Sequence, residues 1–91
     1  MDLHDLIADE LFSNKSLGSL IYLINKGREL EFIYNGTEYF ISRSESQSYV
    51  SLWCGKEEQC FASVEELIEN SKIGQQKLKD VWMDVEFGTL F

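Results

Sequence analysis

Asn35-Gly36 lies between two alternating stretches, Leu30-Glu31-Phe32-Ile33-Tyr34 and Thr37-Glu38-Tyr39-Phe40-Ile41, and it constrains this chain more than any other feature. A two-residue type I′ turn needs positive φ at both central positions, and Asn and Gly adopt that conformation at least cost. The turn sets the register. Tyr34 falls opposite Thr37, Ile33 opposite Glu38, Phe32 opposite Tyr39, Glu31 opposite Phe40 and Leu30 opposite Ile41. Paired residues share a face, so Leu30, Phe32, Tyr39 and Ile41 make one apolar surface that needs a cover. The opposite face carries Glu29, Glu31, Glu38 and Ser42, with Ile33 and Phe40 as apolar residues among them.

Helix signals on both sides of the hairpin supply that cover. Asp2 can cap a helix to Leu11, with Leu3, Leu6, Ile7 and Leu11 at helical spacing, and Phe12-Ser13-Asn14-Lys15 breaks it. Ser16 can cap a second helix to Lys26 with a stripe of Leu17, Leu20, Ile21 and Ile24, closed by Gly27 as a left-handed C′ residue. With no proline at the break, one kinked element is the alternative. After the hairpin, Arg43 to Ser48 reads as a polar loop and Tyr49 to Cys54 as a third strand. Gly55-Lys56 is a Gly-X turn, and Glu57 to Phe61 a charged fourth strand suited to an edge. Ser63-Val64-Glu65-Glu66 is a capping box for a helix to about Ser71 that buries Val64, Leu67 and Ile68. Leu78, Val81, Trp82 and Val85 follow helical spacing in a last helix from Gln75 to Asp84. Glu86 to Phe91 is left open between a strand and an extended arm.

The order α-α-β-β-β-(β)-α-α segregates strands from helices. It specifies an α+β fold: an antiparallel meander of three to four strands with N-terminal and C-terminal helices. The 91 residues form a single domain, 1–91. By parity Val50 and Leu52 join the core face, whereas Tyr49 and Trp53 join Ile33 and Phe40 on the outer face. Cover by the first helix or by the tail is the competing arrangement for that outer patch.

The chemistry-bearing residues exclude more than they propose. Cys54 faces Glu57 and Cys60 faces Ser51, so the two thiols lie on opposite faces and read as free and reduced. Two cysteines and one histidine fall short of a zinc site. His4 reads as a solvated surface residue with nothing to orient it for catalysis. The six glycines are isolated, so no phosphate-binding loop is present. No enzyme activity, metal or cofactor is expected. Sixteen acids against eight bases give a net charge of −8, which repels phosphate backbones and anionic lipid. No apolar run approaches the roughly 18 residues of a membrane span. The acidic start, Met1-Asp2-Leu3-His4-Asp5, is unlike a signal peptide, so a cytoplasmic protein is expected.

From about Leu20 to Glu86 the chain resembles small uncharacterised proteins of Gram-positive bacteria and their prophages. The resemblance rests on Gly27-Arg28-Glu29-Leu30-Glu31-Phe32, Tyr34-Asn35-Gly36, Tyr39-Phe40-Ile41, Phe61-Ala62-Ser63-Val64-Glu65-Glu66-Leu67 and Leu78-Lys79-Asp80-Val81-Trp82. It brings no activity and no site residues. Glu38 to Val50 is similar, over about a dozen residues, to the strand and acidic loop of small phage-encoded inhibitors of CRISPR nucleases, and departs from them where Arg43 interrupts the acids. The expectation is a small acidic protein acting by protein–protein binding: a mobile-element or prophage regulator or inhibitor of the anti-defence or immunity type. Its partner would be a protein with a basic surface, or a second copy, with no direct nucleic-acid or membrane binding. The expected binding residues are Glu29, Glu31, Ile33, Glu38, Phe40 and Trp53. The alternative is a structural or assembly subunit, homodimeric through the same face.

Overall fold

The computed structural model describes residues 2–44 and 48–91. Helices α1 (Leu3–Asn14) and α2 (Leu17–Asn25) precede strands β1 (Leu30–Tyr34), β2 (Thr37–Ser44), β3 (Tyr49–Cys54) and β4 (Glu57–Phe61). Helix α3 (Val64–Asn70) is followed by a small hairpin, β5 (Lys72–Ile73) and β6 (Gln76–Lys77). A single turn, α4 (Leu78–Val81), then runs into a 3-10 turn (Trp82–Asp84), and β7 (Glu86–Leu90) ends the fold. The main sheet has the order β4-β3-β2-β1-β7, antiparallel throughout. The fold is α+β, with five strands rather than three or four, because the segment left open between strand and arm pairs with β1.

The Asn35-Gly36 turn has the expected conformation: φ is +51° at Asn35 and +77° at Gly36. All five predicted cross-strand pairs of β1 and β2 are present. Leu30, Phe32, Tyr39 and Ile41 are buried, as are Val50 and Leu52 of β3. The space around a Cβ at Gly36 is open, so a substitution there is opposed by backbone conformation alone. Gly36→Val is expected to lower stability by about 1–2 kcal/mol, measured by urea denaturation. An unshifted midpoint would contradict the type I′ turn.

Both N-terminal helices are capped as predicted. The Asp5 N–H donates to Asp2 Oδ1 at 2.9 Å and the Ser19 N–H to Ser16 Oγ at 3.1 Å. However, α1 runs past Leu11 to Asn14. Nothing in Phe12-Ser13-Asn14 forbids helix, and Asn14 bonds back to Glu10. The helix stops at Lys15, in the left-handed region at φ +53°, so α1 and α2 are two separate helices. Long-range bonds fix that cap: Lys15 Nζ donates to the carbonyls of Met83 and Val85, and Trp82 Nε1 donates to the Lys15 carbonyl at 2.7 Å. The α1 stripe is a correction. Leu11 is buried, but Leu3 and Leu6 are 63% and 51% exposed, because the helix packs mainly on α2. In α2 the buried stripe is Leu20, Leu23 and Ile24, with Leu17 and Ile21 half-buried. The Gly27 N–H donates to the Ile24 carbonyl and the Arg28 N–H to the Leu23 carbonyl, the two bonds of a Schellman cap.

The first two residues of the expected polar loop are strand. Arg43 and Ser44 belong to β2, and Arg43 Nη1 donates to Asn25 Oδ1 at 2.9 Å, while residues 45–47 lie outside the described residues. Ser63 caps α3 by accepting from the Glu66 N–H at 3.1 Å, while the Glu66 carboxylate reaches the Ala62 N–H at 3.2 Å. The predicted helix from Gln75 to Asp84 is instead a hairpin turn, one α turn and one 3-10 turn. Its periodic residues Leu78, Val81, Trp82 and Val85 are nevertheless all buried. The apolar spacing specifies the buried set, and two short turns meet it as well as one helix does.

The core lies between the helices and one face of the sheet. Phe32 stacks on Tyr39 with ring centroids 5.3 Å apart and meets the edge of Trp82 at 6.3 Å, and Trp82 packs on Phe87 at 5.3 Å. Helix α2 covers β2, and α3 covers β3 and β4. The other face of the sheet carries no helix among the described residues.

Candidate protein-binding face

The antiparallel register lays the outer face out in rows. One row crosses the sheet as Glu31, Phe40, Trp53 and Glu58, with Gly88 of β7 beside Glu31. Toward the β1–β2 turn the next row is Glu86, Ile33 and Glu38. Toward the other end lie Phe91 and Glu29, joined by reciprocal backbone bonds, and then Ser42, Ser51 and Cys60. The six residues predicted from the sequence therefore share one face. The first helix does not cover them. The tail extends the sheet edge and sends one side chain across, with the Phe91 ring 5.8 Å from Phe40 in an edge-on contact.

The structure adds Glu58, Glu86 and Phe91 to that set. Glu58 was within reach of sequence reasoning, since the parity that places Cys60 opposite Ser51 also places Glu58 opposite Trp53. Glu86 and Phe91 were not, because β7 has a register irregularity between its contacts with Leu30 and Phe32 that breaks its alternation. Gly88 gives close approach at that point. A Cβ there would lie 2.9 Å from Glu31 Oε1 and 3.2 Å from the Glu31 carbonyl oxygen, so the absent side chain is what lets Glu31 lie across β7.

Charge is strongly segregated. The face carries Glu29, Glu31, Glu38, Glu58 and Glu86, and no Lys or Arg occupies a strand position on it among the described residues. The bases are engaged or placed elsewhere. Lys15 holds the Met83 and Val85 carbonyls, and Lys26 lies over the Tyr22 ring. Arg28 bonds the Phe91 carbonyl and meets His4. Lys79 pairs with Glu69 at 2.6 Å, which lowers the Glu69 pKa through its hydrogen bond and raises that of Lys79. Arg43, which interrupts the acids in the sequence, points to the helix side and leaves the acidic face unbroken. Lys56 sits in the β3–β4 turn at the rim.

Between Glu31, Glu38, Phe40, Trp53 and Gly55 lies a groove of about 380 Å³. Gly55, at φ +61°, turns the chain there and offers no side chain to fill it. Trp53 Nε1 donates to Ser42 Oγ at 3.2 Å, which holds the indole in place. Beneath the groove, burial raises the pKa of the Tyr39 phenol, with a smaller push from Cys54. The Ser51 hydroxyl donates to Glu58 Oε2 at 2.5 Å, and Cys60 Sγ lies 3.7 Å from Ser51 Oγ.

The thiols lie on opposite faces and both are free, Cys54 beside the core and Cys60 exposed. His4 corrects the sequence reading. It is half-buried, placed by the Arg28 guanidinium and by the Tyr22 ring at 6.2 Å. Among the described residues no three His, Cys, Asp or Glu side chains converge as metal ligands. Comparison of the chain with protein-family models, curated proteins and solved structures finds no match.

Proposed function

We infer that this domain works by protein–protein binding through the open face of its sheet. It holds a partner that presents basic residues and acts by occupying it, as a regulator, inhibitor or immunity protein does. One observation carries the reading: five carboxylates surround Ile33, Phe40, Trp53 and Phe91 on a face with no strand-borne base among the described residues. Such a surface steers a cationic partner in, and aromatic anchors slow its departure. The same field opposes nucleic acid and anionic membrane. No helix among the described residues is long and apolar enough to cross a membrane. The reading assigns no catalysis and places the protein in the cytoplasm, where both thiols stay reduced.

An assembly subunit closed on a second copy through this face is the other reading. It would set Glu31 and Glu38 against like charges, which is why a basic partner is preferred. The test immobilises the parent and its variants and compares what each retains from lysate of the native cell at low and high salt. Glu31→Lys with Glu38→Lys is expected to slow association with the retained protein, chiefly at low salt. Phe40→Ala is expected to speed dissociation. Each variant is first shown to be folded by thermal melting. Folded variants that bind as the parent does would overturn the face, and salt-independent self-association would favour the assembly reading.

A further inference from the structure

The groove on the acidic face has a more specific chemistry than the face as a whole. Two aromatic residues, Phe40 and Trp53, and two acids, Glu31 and Glu38, line it together with Tyr39 and Gly55. Those two glutamates are diagonal neighbours across β1 and β2, which places the residues roughly 7–8 Å apart. Neither carboxylate has an ion-pair partner among the described residues. At about 380 Å³ the groove is near the lower end of the roughly 300–1,000 Å³ of small-ligand sites and has room for one long side chain.

The geometry points to an arginine side chain of the partner as the occupant, its guanidinium laid against Phe40 and Trp53 with Glu31 and Glu38 as its carboxylate partners. A flat, delocalised cation suits aromatic walls, and its fork of N–H donors can serve two separate carboxylates at once. A lysine ammonium is a compact, strongly hydrated point charge that does neither. The site is prepared in advance. The Ser42 bond fixes the indole, and Gly55 has no side chain to fill the groove. This assignment rests on the outer face being the binding surface.

The test is a two-dimensional NMR titration of the whole 91-residue protein at low salt with the blocked peptide acetyl-Gly-Arg-Gly-amide. Lysine and citrulline versions run in parallel, citrulline keeping the shape of arginine without its charge. The arginine peptide is expected to give saturable shifts centred on the Trp53 indole N–H and the Gly55 amide, with a Kd in roughly the millimolar range that one side chain supports. The lysine peptide should bind several-fold more weakly and the citrulline peptide not measurably. Glu31→Gln with Glu38→Gln, and separately Trp53→Leu, should each weaken arginine binding about tenfold or more while keeping a dispersed, folded spectrum. No saturable shift, equal binding of lysine or citrulline, or undiminished binding by the folded glutamine variant would overturn the assignment. If the peptide fails while Glu31→Lys still disrupts the protein complex, the face stands and the arginine site falls. If both fail, the face falls with it.

Discussion

Phe32→Ala is expected to cost this domain about 3–5 kcal/mol, the range for deleting a fully buried phenylalanine. Phe32 has no exposed surface, stacks on Tyr39 and meets the edge of Trp82, so its removal opens a cavity where the hairpin meets the helix layer. A 91-residue domain has about 5–14 kcal/mol of stability in total, so the loss is a large share of what holds the fold. Urea denaturation of the variant beside Phe32→Leu is the measurement. The leucine variant refills most of the volume and should recover more than half of the loss. A shift below about 1 kcal/mol for alanine would mean that the site collapses without strain and that the stack with Tyr39 contributes little.

Trp82→Ala is expected to be similarly destabilising, by about 3–5 kcal/mol, for a different combination of reasons. The indole packs on Phe32 and Phe87, and its N–H donates to the Lys15 carbonyl at the end of α1. Trp82→Phe separates the two contributions. It keeps an aromatic ring but strips the Lys15 carbonyl of that donor, a loss of about 1–2 kcal/mol beyond the change in volume. Hydrogen exchange locates the effect, since amides of α1 should open more readily in both variants while those of β2 and β3 change least. Unchanged protection in α1 would show that the cap is held by the Lys15 side chain alone.

Where local chemistry decides structure, the sequence was enough. Asn35-Gly36 can make only a few turns, and from that register the buried set of β1 and β2 and the shared face of Glu31, Ile33, Glu38 and Phe40 follow. The caps at Asp2, Ser16 and Ser63 are equally local. The errors arose where distant partners decide. Nothing near Phe12 announces that α1 continues to Lys15, because that end is held by Met83, Val85 and Trp82 from the far end of the chain. Likewise Glu86–Leu90 becomes a strand because β1 offers it an open edge, and its own alternation is interrupted at Gly88. The candidate face was therefore visible in its central strands and incomplete at its margin, where Glu86 and Phe91 lie.

The rims of the sheet are its two outermost strands, and neither invites another strand. Beside β4, the Gln59 side chain bonds both the N–H and the carbonyl of Lys72, a side-chain amide standing in for a backbone partner. Glu57 and Glu58 charge the exposed end of the same strand, and β7 is kinked out of regular register at Gly88. Charges and irregularities on outer strands are how proteins prevent edge-to-edge aggregation into extended sheets. Charge on one outer strand and irregular register on the other disfavour the addition of a further strand at either rim.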